Sequence, residues 1–450
     1  MHIHFIAIGG SVMHQLAIAL KHKGYQITGS DDEIFEPALS NLKKEGIMPS
    51  EMGWHPEKLT SDIDAVILGM HAKDDNPEII RARELKLEIF SFPEYIYKES
   101  EHKQRVAIGG SHGKTTTTAM IMHVLKHDQI NFDYLVGARL DGFEQSVRIT
   151  DAPLIVCEAD EYPASAIEKR PKFHFLLPHI AVITGIAWDH INVFPTFNYY
   201  LQQFKIFIEK IEKSGILIYN ETDEVLVKLI NENKRSDINY ISYELPVYFI
   251  ENGVTSVMTG NIKTDLKIFG NHNLLNLQAS YHVCKILGVS DNSFADAIRS
   301  FRGAAKRLEL FAENKEYNIY RDFAHAPSKV MASINAVKQQ FPGRKLVAIL
   351  ELHTFSSLNE KFMEEYAGAM DNADEAIVFY SKHALELKRM PPLDSKIIAD
   401  GFKKTGLRVI NSKEELERQL TETSTRSTNF LFMSSGNYDG MDILKVVSGK

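Results

Sequence analysis

The stretch RVAIGGSHGKTTTTAM, residues 105–120, carries residue types that bind a polyphosphate. A short apolar run ends in two glycines, and Gly113, Lys114 and Thr115 then open a segment with helical periodicity. Backbone N–H groups at the start of such a helix point at phosphates, the lysine adds a positive charge, and the following hydroxyl binds Mg2+. Ile108 stands where the common phosphate loop has its first glycine, so this loop is shorter. We expect ATP and Mg2+ here; the alternative is an ordinary strand-to-helix turn with an exposed lysine.

Two more polar residues follow strand-like runs. Glu158 comes directly after LIVC (154–157), and His190 lies just past IAVIT (180–184). The carboxyl ends of parallel strands share one edge of a sheet, and ligands bind there. We therefore expect Thr115, Glu158 and His190 to converge on a metal ion. Taken singly, a strand-end glutamate is more often a helix cap or a surface group, and a single histidine is more often structural. Asp160, Glu161 and Asp189 add negative charge around the same edge, as a cation site requires; the alternative for each is a helix cap or a solvated carboxylate.

Composition limits the class of protein. The 450 residues have a formal net charge of −8, which argues against a general nucleic-acid binder. The two cysteines, Cys157 and Cys284, give no disulfide framework, and the sequence has neither a signal-peptide pattern nor an apolar stretch of about 18 residues. We expect a cytoplasmic globular protein of three domains with no membrane partner.

Strand-like runs alternate with helical patterns along the whole chain, which predicts α/β domains with parallel sheets. Polar residues at 98–104 and the segment 301–309 are the candidate boundaries. The predicted strands are 3–8, 26–31 and 64–69, then 154–157, 180–184 and 215–219, and finally 317–323, 345–350, 375–380 and 429–433. No fixed-period repeat is visible.

The N-terminal turn AIGGSV (7–12), with Asp31 about 20 residues further on, superficially resembles the dinucleotide-binding fingerprint. A nicotinamide-dependent oxidoreductase is therefore an alternative from another functional class. The fingerprint lacks its first and last glycines, and this alternative leaves Gly113, Lys114 and Thr115 unexplained.

Together, five ordered motifs resemble those of the Mur ligases, the ATP-dependent amide-bond-forming enzymes of bacterial cell-wall synthesis. They are GGSHGKTTTT (109–118), EADE (158–161) with DH (189–190), GNHNLLN (270–276), KRLE (306–309) and RDFAHAP (321–327). The resemblance implies a Rossmann-like domain binding UDP-N-acetylmuramic acid (1–102), a central P-loop ATPase-like domain (103–307) and a Rossmann-like C-terminal domain binding the incoming amine (308–450). It also implies that ATP phosphorylates a carboxylate and that an amine then displaces phosphate.

The resemblance further implies a role for each matching residue. Lys114 would hold the β and γ phosphates, Thr115 and Glu158 would bind Mg2+, and His190 would ligate a second Mg2+. The catalytic set so implied is Lys114, Glu158, His190, Arg307 and His325. Nucleotide contacts would come from Gly110, Ser111, His112, Gly113, Lys114, Thr115, Thr116, Asn273, Asn276, Arg307 and Asp322. The nucleotide sugar would meet Gly9, Gly10, Ser11 and Asp31.

Some Mur ligases carry a carbamylated lysine near the second metal, and Lys205 lies 15 residues after His190. The solvated edge of an amphipathic helix explains Lys205 more simply.

Two branches of the family use UDP-N-acetylmuramic acid: one adds L-alanine, and the other adds the tripeptide L-alanyl-γ-D-glutamyl-meso-diaminopimelate. AIGGSVM (7–13) with Val12, EADEYPASAIEKRPKF (158–173) and MSSGNYDGM (433–441) are more similar to the tripeptide branch, so the tripeptide is the expected amine and L-alanine the alternative. Leu352 and His353 replace the Pro and Arg of that branch, which puts the identity of the amine in doubt. Ala326 replaces a common second histidine.

Overall fold

A computed structural model describes residues 1–138, 140–188 and 193–448, and the chain forms two compact units. The first unit comprises residues 1–186, 198–244 and 279–289, and the second comprises 187–197, 245–278 and 290–450. The domain boundaries 1–102, 103–307 and 308–450 stay a prediction.

The N-terminal sheet is parallel and has the strand order β2-β1-β3-β4. Its strands are β1 (His2–Ile6), β2 (Gln26–Ser30), β3 (Ala65–Leu68) and β4 (Ile89–Ser91). Its helices are α1 (Met13–His22), α2 (Ala38–Lys44), α3 (Pro77–Glu84) and α4 (Phe92–Ser100). β1 lies between β2 and β3, so the chain crosses to one side of β1 to form β2 and then to the other side to form β3. The glycine turn after β1 therefore lies at a topological switch point.

The central sheet has the order β11-β10-β9-β5-β8-β6-β7, and all its pairs are parallel except β6 with β7. Its strands are β5 (Gln104–Gly109), β6 (Asp133–Leu135), β7 (Val147–Arg148), β8 (Leu154–Glu158), β9 (Ile180–Ile183), β10 (Ile216–Asn220) and β11 (Asn239–Tyr243). The helices are α5 (Lys114–His127), α6 (Phe197–Glu209) and α7 (Glu224–Glu232). Because β5 lies between β8 and β9, the turn after β5 shares one edge with the ends of both neighbours.

A small antiparallel sheet, which the sequence patterns did not predict, opens the main part of the second unit. Its strands are β12 (Tyr248–Glu251), β13 (Val254–Thr259) and β14 (Ile262–Leu266). Helices α8 (Asn271–Ile286) and α9 (Asp291–Ser300) follow.

The C-terminal sheet has the order β15-β16-β20-β17-β18-β19 and is parallel except for the edge strand β15. Its strands are β15 (Glu309–Glu313), β16 (Tyr317–Asp322), β17 (Lys345–Leu352), β18 (Glu375–Tyr380), β19 (Arg408–Ile410) and β20 (Thr428–Met433). Its helices are α10 (Pro327–Gln340), α11 (Lys382–Leu387), α12 (Ser395–Phe402), α13 (Lys413–Glu422) and α14 (Ile443–Ser448). Apolar side chains alternate along these strands into two cores, one on each face of the sheet. The predicted α/β class with parallel sheets is therefore confirmed.

Short 3-10 helices occur at Pro56–Lys58, Lys172–Phe175, Glu360–Tyr366 and Tyr438–Gly440. Within the ranges that the structure describes, no helix has the length and apolar character needed to cross a bilayer. Cys157 and Cys284 are both buried free thiols.

Candidate functional site

The turn after β5 requires glycine at two places. Gly110 has φ +127°, and a Cβ there would lie 2.9 Å from the backbone nitrogen of Thr184 and 3.2 Å from that of Gly185. Gly113, with φ +79°, is the N-cap of α5. The backbone N–H of Ser111 donates to the carbonyl of Gly185 at 2.9 Å. The loop is thus pressed against the end of β9, where a side chain at the first position would collide with backbone.

Lys114 begins α5 and folds back over the loop. Its Nζ donates to Glu161 Oε2 at 2.6 Å and to the carbonyl of Gly110 at 2.8 Å. Burial opposes the charge of Lys114, but the carboxylates of Glu161, Asp160 and Glu158 raise the lysine pKa above its ordinary value. The side chain of Glu161 is only 1% exposed, so this carboxylate and the ammonium form a largely buried pair. Lys114 is therefore a fixed positive charge at the mouth of the loop.

Thr115 and Glu158 meet as the parallel sheet predicts. Thr115 Oγ1 donates to Glu158 Oε1 at 2.7 Å, and the N–H of Gly137 donates to Glu158 Oε2 at 2.7 Å. A hydroxyl beside a carboxylate is a set of hard oxygen donors that suits Mg2+. The pair therefore fits the metal expected there. His190 and Asp189, the other members of the expected metal site, lie outside the described residues.

The loop following β9 closes the same edge. Thr184 Oγ1 donates to the carbonyl of His112, and the N–H of Ile186 donates to Asp223 Oδ2 at 2.6 Å. The other oxygen of Asp223 caps α7 by accepting from the N–H of Leu226 at 2.9 Å. This bracing was missed from the sequence, although Thr184 ends a predicted strand and Asp223 has an N-cap pattern.

Other loop residues are held from neighbouring helices. Ser111 Oγ and the hydroxyl of Tyr200, on α6, lie 2.8 Å apart, and the carbonyl of Thr117 accepts from Ser280 on α8 at 3.2 Å. Thr116 is buried. The sequence analysis did not predict Gly137 or Tyr200 as site residues. For Gly137 a signal exists, because it follows β6 at the edge of the sheet where ligands bind.

The N-terminal glycine turn borders a cleft of about 220 Å³. Gly10 and Ser11, both predicted to meet the nucleotide sugar, line the cleft. The N–H of Gly9 donates to Asp31 Oδ2 at 2.7 Å, so these two residues hold the turn. Burial raises the pKa of Asp31 to about 6, against the lowering effect of the Gly9 N–H. The complete lining consists of Ala7, Gly10, Ser11, Val12, Met13, Leu68, Gly69, Met70, His71, Phe92, Ala164 and Lys172.

In the second unit, the ring of Phe323 joins two of the predicted site residues. The guanidinium of Arg307 lies 4.6 Å from the ring centroid, and the ring of His325 meets it edge-on at 5.3 Å. His325 Nδ1 donates to the Phe323 carbonyl at 2.8 Å, which fixes the imidazole. Arg307 and His325 are thus organised around one aromatic side chain that the motif comparison did not single out.

The remaining residues of the second unit have local partners. Asn273 Nδ2 donates to the carbonyl of Phe269 at 3.0 Å, and Asn276 is buried. Asp322 accepts from Ser333 Oγ. Burial lowers the pKa of His272, in the GNHNLLN motif, and the charge of Asp322 partly offsets that effect.

Ala326 and His353 mark departures from the family motifs, and Lys205 is the candidate for carbamylation. Ala326 is the N-cap of α10 and makes no side-chain capping bond. His353 Nδ1 lies 3.8 Å from Oε1 of Glu351, a buried carboxylate at the end of β17. Lys205 Nζ lies 4.0 Å from Glu209 Oε1 one helical turn later, and its side chain is 37% exposed. A carbamate on Lys205 would place two negative charges side by side, so the pair favours the unmodified lysine.

Three family models match successive parts of the chain. The Mur ligase family catalytic domain matches residues 2–104, the Mur ligase middle domain matches 108–284, and the Mur ligase glutamate ligase domain matches 306–436. The UDP-N-acetylmuramate--L-alanine ligase of Clostridium kluyveri is 30% identical over 433 residues, which cover 92% of this chain and 90% of that protein.

Solved structures agree on the fold. The UDP-N-acetylmuramate-alanine ligase of Thermotoga maritima aligns over 100% of this chain and 98% of its own, with a TM-score of 0.69 and 25% identity. A murein peptide ligase from Psychrobacter arcticus aligns over 100% and 99%, with a TM-score of 0.66 and 20% identity. The phosphate loop, the oxygen pair beside it and these full-length matches lead to one conclusion: the chain belongs to the Mur ligase family, whose members are ATP-dependent, ADP-forming amide ligases of peptidoglycan synthesis.

Proposed function

We propose that this chain joins the carboxylate of UDP-N-acetylmuramic acid to L-alanine while converting ATP to ADP and phosphate. The observation that carries the choice of substrates is the 30% identity, over 92% of the chain, to a UDP-N-acetylmuramate--L-alanine ligase. The first unit supports the proposal because it contains both a phosphate loop and a cleft beside a glycine turn at a switch point.

The reaction needs little covalent work from the protein. A carboxylate oxygen attacks the γ-phosphorus of ATP, and ADP leaves. The amine nitrogen then attacks the acyl carbon, phosphate leaves, and the nitrogen loses a proton. Catalysis of this kind is mainly positioning and charge neutralisation.

Lys114 would exchange Glu161 for phosphate oxygens when ATP binds, since its ammonium is already fixed at the loop. Thr115 and Glu158 would hold Mg2+, which supplies positive charge to the transferring phosphoryl group. The N–H groups that open α5 would contribute further donors. Arg307 and His325, ordered on Phe323, are proposed to reach the reacting groups.

Two of the three sequence motifs that favour the tripeptide as the amine, AIGGSVM (7–13) and EADEYPASAIEKRPKF (158–173), contribute residues to the N-terminal cleft. Val12 and Lys172 both line the N-terminal cleft. Arg170 pairs with Glu168 at 2.6 Å, and Phe173 is fully buried. If the cleft takes the nucleotide sugar, which both branches share, none of these residues selects the amine.

The tripeptide remains the second candidate because MSSGNYDGM (433–441) still resembles the tripeptide branch. This segment begins at the carboxyl end of β20, beside the end of β17, in the sheet assigned to the amine. Ser434 Oγ and the N–H of Tyr438 both donate to the buried Glu351 there.

The discriminating experiment offers purified protein UDP-N-acetylmuramic acid, ATP and Mg2+ with either amine and follows phosphate release. We expect kcat/KM for L-alanine to exceed that for the tripeptide by about tenfold or more, a difference of about 1.4 kcal/mol. UDP-N-acetylglucosamine, which lacks the carboxylate, is the matched acceptor control and should give no amine-dependent turnover. A preference for the tripeptide would reassign the branch, and no turnover with either amine would refute both candidates.

A further inference from the structure

The cleft beside the N-terminal glycine turn has a single permanently charged side chain in its lining. Eleven of the twelve lining residues are apolar, glycine, serine or histidine, and the twelfth is Lys172. The turn also leads into α1, a helix of 10 residues, and the start of a helix favours an anion through its dipole. A diphosphate entering this cleft would thus find Lys172 as its only fixed positive charge from the lining side chains.

Lys172 comes from the central part of the chain and is delivered by a folded loop. Its own N–H donates to the carbonyl of Tyr162 at 2.8 Å, and the N–H of Phe173 donates to the carbonyl of Asp160 at 3.1 Å. The neighbouring Phe173 is fully buried, and its ring stacks on that of Phe207 with a centroid separation of 4.7 Å. The backbone at Lys172 is therefore anchored on both sides, so its side chain projects from a fixed point.

Asp160 holds the ammonium of Lys172 in place. Lys172 Nζ lies 2.8 Å from Asp160 Oδ2, and the two side chains are 25% and 35% exposed, respectively. The negative charge of Asp160 also acts on Lys114, while the adjacent Glu161 pairs directly with Lys114. One short segment of carboxylates thus positions a lysine in each of two sites, the phosphate loop and the cleft.

We propose that Lys172 binds the diphosphate of the nucleotide sugar, exchanging Asp160 for phosphate oxygens as the ligand enters. This inference rests on the proposed function. The chemistry is that of a charge-assisted contact to phosphate from a lysine beside a glycine turn and a helix start. Lys172 would thus add a phosphate contact to those of the glycine turn, and it lies in the loop that follows the EADE segment (158–161).

The test measures ligand binding calorimetrically without ATP, so catalysis does not enter. Wild type, Lys172→Gln and Lys169→Gln are each titrated with UDP-N-acetylmuramic acid, UDP-N-acetylglucosamine and uridine. Lys169 is the matched control because it is an exposed lysine of the same loop that does not line the cleft. We expect Lys172→Gln to weaken both UDP-sugars by about tenfold or more and to leave uridine unchanged. Lys169→Gln should bind all three ligands within about twofold of wild type.

The outcomes separate this inference from the proposed function. A loss confined to UDP-N-acetylmuramic acid would mean that Lys172 meets its carboxylate, and unchanged binding of both UDP-sugars would mean that it meets neither group; each result overturns the inference. Wild-type protein that binds neither UDP-sugar would refute the proposed function itself. Lys172→Met, which keeps the aliphatic stem, gives the same comparison should Lys172→Gln fail to fold.

Discussion

Lys114 shows what a motif reveals about a residue and what it leaves out. The spacing of Gly113, Lys114 and Thr115 indicates the phosphate loop and its lysine, and the pairing of Thr115 with Glu158 follows from the parallel-sheet rule. The same pattern does not identify Glu161 as the partner of the lysine, because Glu158, Asp160 and Glu161 all lie at the end of β8. Only the packing of the side chains decides which of these carboxylates pairs with Lys114.

Replacing Lys114 by alanine should lower the rate of phosphate release in the presence of both substrates by about 100- to 1000-fold. The reason is the loss of one preorganised positive charge at the proposed β and γ phosphates. Lys126→Ala is the control, because Lys126 lies in the last turn of the same helix and donates to the carbonyl of Gly142. Its rate should stay within about twofold of the parent.

A Lys114→Ala protein within about threefold of the parent rate would refute the proposed role. Thermal unfolding is recorded in parallel, because this variant leaves the buried Glu161 without its ammonium partner. A cooperative transition near the parent temperature shows that lost turnover is not lost structure.

At the scale of elements, most of the parallel strands were predictable and the antiparallel ones were not. β5, β8, β9 and β17 appear in the sequence as continuous apolar runs because both faces of a parallel sheet are covered. By contrast, β12 alternates between half-buried and exposed residues and lies in an antiparallel sheet, so it has no such run. Strands of only two or three residues, β4, β6, β7 and β19, were also missed because so short a segment shows no periodicity. Propensity and periodicity thus locate the sheets that carry the phosphate loop and the cleft but not their accessory strands.

The turn after β5 gives a prediction about local structure. Gly110→Ala should destabilise the first unit by more than about 1 kcal/mol, since φ is +127° and the new Cβ would meet the backbone nitrogen of Thr184 at 2.9 Å. Gly343→Ala is the matched control, because a Cβ at Gly343 would have no neighbour within 4 Å and the φ of Gly343 is ordinary. Chemical unfolding should move only with Gly110→Ala. A Gly110→Ala midpoint indistinguishable from that of Gly343→Ala would contradict the steric account.

At the scale of the whole molecule, composition predicted the class but not the distribution of buried charge. The net charge of −8 argues against a general nucleic-acid binder, yet it does not show which histidines are buried and neutral. Burial lowers the pKa of several histidines, which are spread over both units: His14, His174, His179, His272 and His282. Asp31 and Glu351 act in the opposite sense, because burial raises the pKa of Asp31 to about 6 and also raises that of Glu351.

Because these histidines have lowered pKa values, we expect the free energy of unfolding of the protein to fall as the pH is lowered from 7.5 to 5.5. An unfolded histidine titrates near pH 6.5, whereas the native pKa of His174 is lowered to about 4, so in that window the unfolded chain binds protons that the native chain does not. The stabilisation is complete above pH 6.5 and declines below it. The raised pKa values of Asp31 and Glu351 favour the native state at lower pH and so offset part of this loss. We expect the midpoint of thermal unfolding to be several degrees lower at pH 5.5 than at 7.5. His174→Gln, which keeps a donor for the carbonyl of Gln203, should reduce that difference; an equal or higher midpoint at pH 5.5 would refute the prediction.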